Sequence, residues 1–219
     1  MKPYMTEGGA AASRAQYYDF DRAKELILKR KPHDIAKTAL IDFDEEKSCF
    51  TFAGLGQEIR VTYPGCEATL KESGKQPIVH WHMPILHYLS TADGFPLSGR
   101  LVPFMLIGEH TAHPELFENE TGKKLLAYFD GKPIDELKQA CAALGAEALK
   151  GSGDLYYRFD CFPGFPIYFK FWYSDEETPG SCKFLFDEKC THYLEEMDIQ
   201  MMGPLLANFL IAEHELSGK

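Results

Sequence analysis

The sequence lacks most of the short motifs that announce chemistry. In its 219 residues there is no CxxC pair, no GxxxxGK followed by Ser or Thr, no HExxH and no GxSxG. Gly54-Leu55-Gly56 has neither a third glycine nor a following helix, so a dinucleotide fingerprint is absent too. Serine-nucleophile and nucleotide-hydrolysing enzymes are therefore without support. Long apolar runs are also missing. The densest one, from Gly164 to Tyr173, is interrupted by Pro166 and Lys170 and falls far short of the roughly 20 residues that span a bilayer. Positive charge is scarce, with 23 Lys and Arg against 33 Asp and Glu and a net charge of −10. Residues 151–219 hold only 5 of the basic groups but 12 of the acidic ones. Such a field repels phosphate backbones and anionic lipid, so neither nucleic acid nor membrane is expected as a partner.

What is present is ordinary for a globular chain: 45% hydrophobic and 26% charged residues, enough to bury a core without staples. The opening MKPYMTEGGAAAS carries no apolar stretch long enough for a secretion signal. It predicts a flexible N-terminal arm over residues 1–14, a single domain over 15–214 and a cytoplasmic location. Six scattered cysteines are expected as reduced thiols in that compartment, and an all-cysteine zinc or iron–sulfur site is not.

Apolar spacing from Ala15 to Arg30 predicts an amphipathic helix stopped by Pro32. Ser48–Ala53 and Gln57–Tyr63 read as a hairpin through Gly54-Leu55-Gly56, with a third short strand at Glu67–Leu70. A helix is expected after Pro84, and two more over Pro114–Phe129 and Pro133–Leu144, each opened by proline, with Gly145 stopping the last. Leu155–Phe162, Ile167–Tyr173 and Lys183–Phe186 then read as three consecutive antiparallel strands. Helices near Glu188–Glu195 and Asp198–Glu213 follow, and Asp187 is expected to cap the first of them. Strands arriving as antiparallel neighbours with helices grouped around them predict an α+β fold with a mainly antiparallel sheet.

The stretch GDLYYRFDCFPGFPIYFKFWYSDEETPGSCKFLFDEKCTHYLEEMDIQMMGPLL resembles an uncharacterised family catalogued as domain of unknown function 3786. PILHYLSTADGFPLSGRLVPF and the hairpin around FTFAGLGQEIRV agree with it, so the resemblance covers roughly residues 15–212. It implies a family seen largely in anaerobes, some of whose members are fused to iron–sulfur domains that this chain lacks. The acidic turn departs from the family's DEEFP-like form, having Thr178-Pro179 after Asp175-Glu176-Glu177 and losing the aromatic. Leu101-Val102-Pro103-Phe104 likewise replaces a Trp- or Ser-Phe-Arg-type run. The resemblance brings no mechanism with it.

Three features are candidates for a site. His80 and His82, two apart, share one face if the segment is extended, and His87 follows nearby. Three imidazoles in eight residues suit a transition metal or an axial ligand to a tetrapyrrole iron or cobalt. Trp81 and Met83 argue equally for a packed core segment. His110 and His113 form a second pair, matched by a plain solvated loop. The acidic turn Asp175, Glu176, Glu177 suits a hard cation or a general acid/base pair, and equally a turn of solvated acids. Strand Ile167–Tyr173 places Tyr168 and Trp172 on the face opposite Phe169 and Phe171. Aromatics on both faces point to a pocket wall for a flat ligand, or to a sheet covered on both sides.

Two functional readings follow. One is a ligand- or cofactor-binding accessory protein of anaerobic metabolism. It would hold a corrinoid, a haem or a single transition metal against His80, His82, His87, Tyr168 and Trp172, with an iron–sulfur or corrinoid protein as possible partner. The other is a metal-assisted hydrolase or lyase using the histidines and one acid of 175–177; a protein-interaction module is a third. The binding reading expects one of the three histidines to face a pocket shared with the strand ending at Trp172.

Overall fold

The computed structural model describes residues 2–6, 19–107 and 114–218. His110 and His113 lie outside them, as do residues 15–18 of the first expected helix and most of the expected arm. The elements run α1 (Phe20–Leu28), α2 (Pro32–Thr38), β1 (Asp42–Asp44), β2 (Cys49–Gly54), β3 (Gln57–Thr62), β4 (Ala68–Leu70) and α3 (Val79–Thr91). After β5 (Leu101–Pro103) come α4 (Pro114–Glu118), a π turn (Asn119–Lys123), α5 (Lys124–Phe129) and α6 (Ile134–Ala143). The chain continues through β6 (Glu147–Ala148), β7 (Leu155–Phe162), β8 (Phe165–Trp172) and β9 (Ser181–Asp187) to α7 (Glu196–Ser217).

Two antiparallel sheets result, in the orders β1-β2-β3-β4 and β5-β9-β8-β7-β6, so the fold is α+β as the strand pattern predicts. The three C-terminal strands are contiguous, with Phe169 opposite both Tyr157 and Phe184. In β8, Ile167, Phe169 and Phe171 are fully buried, while Tyr168, Lys170 and Trp172 are half-exposed. The aromatic second face is thus a rim, where Lys170 lies 4.4 Å over the ring of Tyr156, rather than a second core. The sheets meet where Leu55 N donates to Asp160 O at 2.9 Å and Gly54 abuts the Cys161 carbonyl. A Cβ on Gly54 would sit 2.4 Å from that oxygen, so only glycine permits this approach. Tyr88 of α3 stacks on Phe162 at 4.8 Å and donates its hydroxyl to the Ala39 and Pro163 carbonyls, joining α2, α3 and the β7–β8 turn.

Several expectations are corrected. α1 ends at Leu28, ahead of Pro32 as expected, but Pro32 also opens a further helix, α2, where its missing N–H costs nothing. Residues 79–83 are helical rather than extended, so Pro84 lies inside α3 instead of opening the helix, whereas Pro204 lies inside α7 as the helix expected over 198–213 already required. Both helices are buried on most sides, which offsets the backbone bond each proline removes. Asp187 caps no helix; it is 2% exposed and accepts from Ser98 N, Ser98 Oγ, Gly99 N and Lys189 N, tying the loop before β5 to the end of β9. The first residues, expected in a loose arm, are docked. Met5 is fully buried, Tyr4 donates its hydroxyl to Glu213, and Lys2 Nζ lies 2.5 Å from Glu213 Oε1.

Candidate functional site

The helical conformation of α3 decides what its histidines can do. At about 100° per residue, His80 and His87 fall on one face two turns apart, roughly 10 Å along the axis, and His82 points away from both. The three imidazoles therefore occupy three environments and form no common metal site. Among the described residues, no group of three or more His, Cys, Asp or Glu side chains is placed to hold a metal ion.

His82 is the most buried of the three. Its ring lies 5.0 Å from that of Phe20, its Nε2 has no hydrogen-bond partner among the described residues, and burial beside Lys24 pulls its pKa down to about 4. It is a neutral core histidine. His87 is instead held by Asp198, whose oxygens lie 2.7 and 2.9 Å from Nδ1. Burial pulls this imidazole's pKa down, but the hydrogen bond and charge of Asp198, helped by Glu195, outweigh burial and Arg22, and the net shift is upward. Asp198 is 1% exposed. His87 and Asp198 are 111 residues apart, so no local spacing could have paired them.

His80 lines a groove of about 610 Å³ between the start of α3, α4 and the middle of α7. Leu116, Phe117, Leu205 and Phe209 form much of its wall, with Gln200 and Asn208 as polar members. His87 and Asp198 line a different hollow of about 220 Å³, against α1. Met201 borders both.

The remaining candidates stand elsewhere. Trp172 and Asp175 share an open hollow of about 370 Å³ with Asp154 and Lys183, away from the histidines, and Tyr168 packs beside Tyr156 instead. Asp175 closes its own turn: Oδ1 accepts from the N–H groups of Glu177 at 2.9 Å and Thr178 at 2.6 Å, which hold its carboxyl below the usual range. Glu176 and Glu177 are exposed. Among the described residues, the expected pocket shared by an α3 histidine and Trp172 does not form, because the histidines face the α1 and α7 side while Trp172 ends a strand at the rim of the sheet.

No described helix is long and apolar enough to cross a membrane. In comparisons with known proteins, a family model described as Domain of unknown function (DUF3786) matches residues 31–209. No curated protein and no solved structure matches the chain.

Proposed function

The chain belongs to the DUF3786 family, whose description assigns no activity, and we propose that it is a small-molecule-binding protein whose ligand lies in the groove beside His80. The observation that carries this reading is the groove's size and lining. Its volume of about 610 Å³ falls within the few hundred to a thousand Å³ usual for ligand pockets, and its walls are apolar with a few polar groups. Pro204, on the floor, has no N–H for the Gln200 carbonyl one turn earlier, so a residue lining the groove carries a backbone acceptor without its helical donor.

Charge narrows the ligand. Among the described residues no Lys or Arg lines the groove, the acidic Glu120 does, and neighbouring Lys124 is engaged by Asn208 Oδ1 at 2.8 Å and Glu120 at 3.7 Å. Carboxylates, haem propionates among them, would meet no cation there. An uncharged apolar ring or chain suits the lining. Of the cofactors expected from the sequence, a corrinoid seated by one edge of its amide-bearing ring agrees with that charge better than haem, and a single metal finds no group of three ligands among the described residues.

Titration with the uncharged fluorophore N-phenyl-1-naphthylamine tests this reading. Saturable binding of one probe per chain is expected. Ala212→Trp, which fills the groove, and Leu116→Arg, which charges its exposed lip, should each weaken binding about tenfold or more, a change worth about 1.4 kcal/mol. Unsaturable binding, or affinities indifferent to both substitutions, would sink the reading.

A further inference from the structure

The smaller hollow has a different character from the groove. Its polar wall is built by Asp19 and Arg22 of the α1 start, His87 of α3, and Glu195 and Asp198 at the start of α7; Met83 and Met201 supply apolar wall. We infer that this cleft is an acyl-hydrolase site in which His87, set by Asp198, activates water against a short, uncharged acyl ester.

The pair has the geometry the task requires. With Asp198 accepting from Nδ1–H through both oxygens, the neutral imidazole is held in the tautomer whose Nε2 is the proton acceptor. The His87 side chain is 27% exposed, so water reaches the ring, while Asp198 is sealed beneath it. Asp198 is thus a positioning residue and His87 the group that handles the proton. Among the described residues no serine competes for the role of nucleophile: the hydroxyls of Ser90 and Thr91 donate to the carbonyl of His87 itself, at 2.9 and 2.8 Å. The first N–H groups of α7 have no intrahelical acceptor, and the helix carries no side-chain cap. With Arg22, which makes no side-chain ion pair among the described residues, they can receive an oxyanion at the cleft wall.

The substrate class follows from size and charge. A hollow of about 220 Å³ admits only a short acyl group. Asp19, Glu195 and Asp198 outnumber Arg22 when His87 is neutral, which disfavours an anionic substrate. In the reaction, a water oxygen bonds to the ester carbonyl carbon as Nε2 takes one of its protons and the C=O pair moves onto oxygen. On collapse the bond to the leaving alkoxide breaks and the imidazolium gives the proton to that oxygen. Ester and water become acid and alcohol, and His87 is regenerated.

The full chain is assayed with 4-nitrophenyl acetate, butyrate and decanoate. Saturable turnover of the two short esters is expected, with decanoate a poor substrate. His87→Gln should lower kcat/KM by about 100-fold or more, and Arg22→Gln, at an exposed position, should lower kcat. Asp198→Asn should cost activity and move the alkaline-rising limb of the pH profile to lower pH, because Asp198 is the strongest of the groups that raise the His87 pKa against burial and Arg22. A purely structural pair would move neither the limb nor the Arg22→Gln rate. His33→Gln, at an exposed surface imidazole, must leave the rate unchanged. No turnover above buffer, or a rate that survives both His87→Gln and Arg22→Gln, overturns the inference. Binding of N-phenyl-1-naphthylamine in the other groove is read separately, so failure of one reading leaves the other standing.

Discussion

His82 and His87 lie five residues apart on one helix and respond to protons in opposite ways. The His82 pKa is pulled down to about 4 in the fold, while the unfolded side chain titrates near 6.5. As pH falls between those values the unfolded state takes up a proton the folded state refuses, so stability present in full above about 6.5 is lost toward 4, by about 3 kcal/mol at most. The His87 pKa is raised, so its contribution is complete below about 6.5 and disappears as pH climbs through the folded value. Thermal melts across this range should therefore show His82→Leu gaining stability relative to wild type as pH falls below about 6.5, most toward pH 4. His87→Gln should lose most on the acidic side and least once pH has climbed past the raised folded value. A pH-independent difference for either variant would contradict its assigned environment. None of this was legible locally, since the spacing of the two residues is known from the sequence but Phe20, Lys24 and Asp198 are brought to them only by packing.

At the scale of elements, the hairpin through Gly54-Leu55-Gly56 and the strands β7 to β9 were readable because alternation and turn residues agree there, as in the fully buried Phe159, Ile167, Phe169 and Phe171. The short strands β1 and β6 were not, because two or three residues carry no period. Pro84 misled for a physical reason. A lost N–H is decisive in an isolated helix but small against the burial of Trp81, Leu86 and Leu89 on α3, or of Leu206 and Leu210 on α7. Gly203 shows the same precedence of packing over propensity. A Cβ there would lie 2.3 Å from Phe117 Cε2 and 3.0 Å from Thr121 Cγ2, in a wall where Phe117 stacks on Phe104. Gly203→Ala should therefore destabilise by about 2 kcal/mol, despite the ~1 kcal/mol alanine normally gains in a helix. Urea midpoints at constant m-value would measure it, and a stabilised variant would show that α4 yields freely.

For the molecule as a whole, burial also governs the thiols. All six cysteines are free and buried, and burial raises their pKa where a shift is evident, to about 12 at Cys190 and further at Cys141, Cys161 and Cys182. A chromogenic disulfide reagent should find fewer than one reactive thiol per native chain and six after denaturation without reductant. Prompt reaction of the native protein would indicate opening of the core that encloses Cys161 and Cys182.

Composition and periodicity by themselves determined the α+β class, the antiparallel β7–β8–β9 order and most helix positions, because these depend on contacts a few residues apart or on one face of an element. The sequence also marked His80, His82 and His87 as unusual. Which of them meets water, which is sealed and which is held by a carboxylate was decided by the crossing of α3 with α1 and α7. Packing likewise separated Trp172 and Asp175 from the histidines and assembled the cleft from residues at opposite ends of the chain. Contacts of that kind depend on how whole helices settle against one another, and no local pattern of side chains encodes them in readable form.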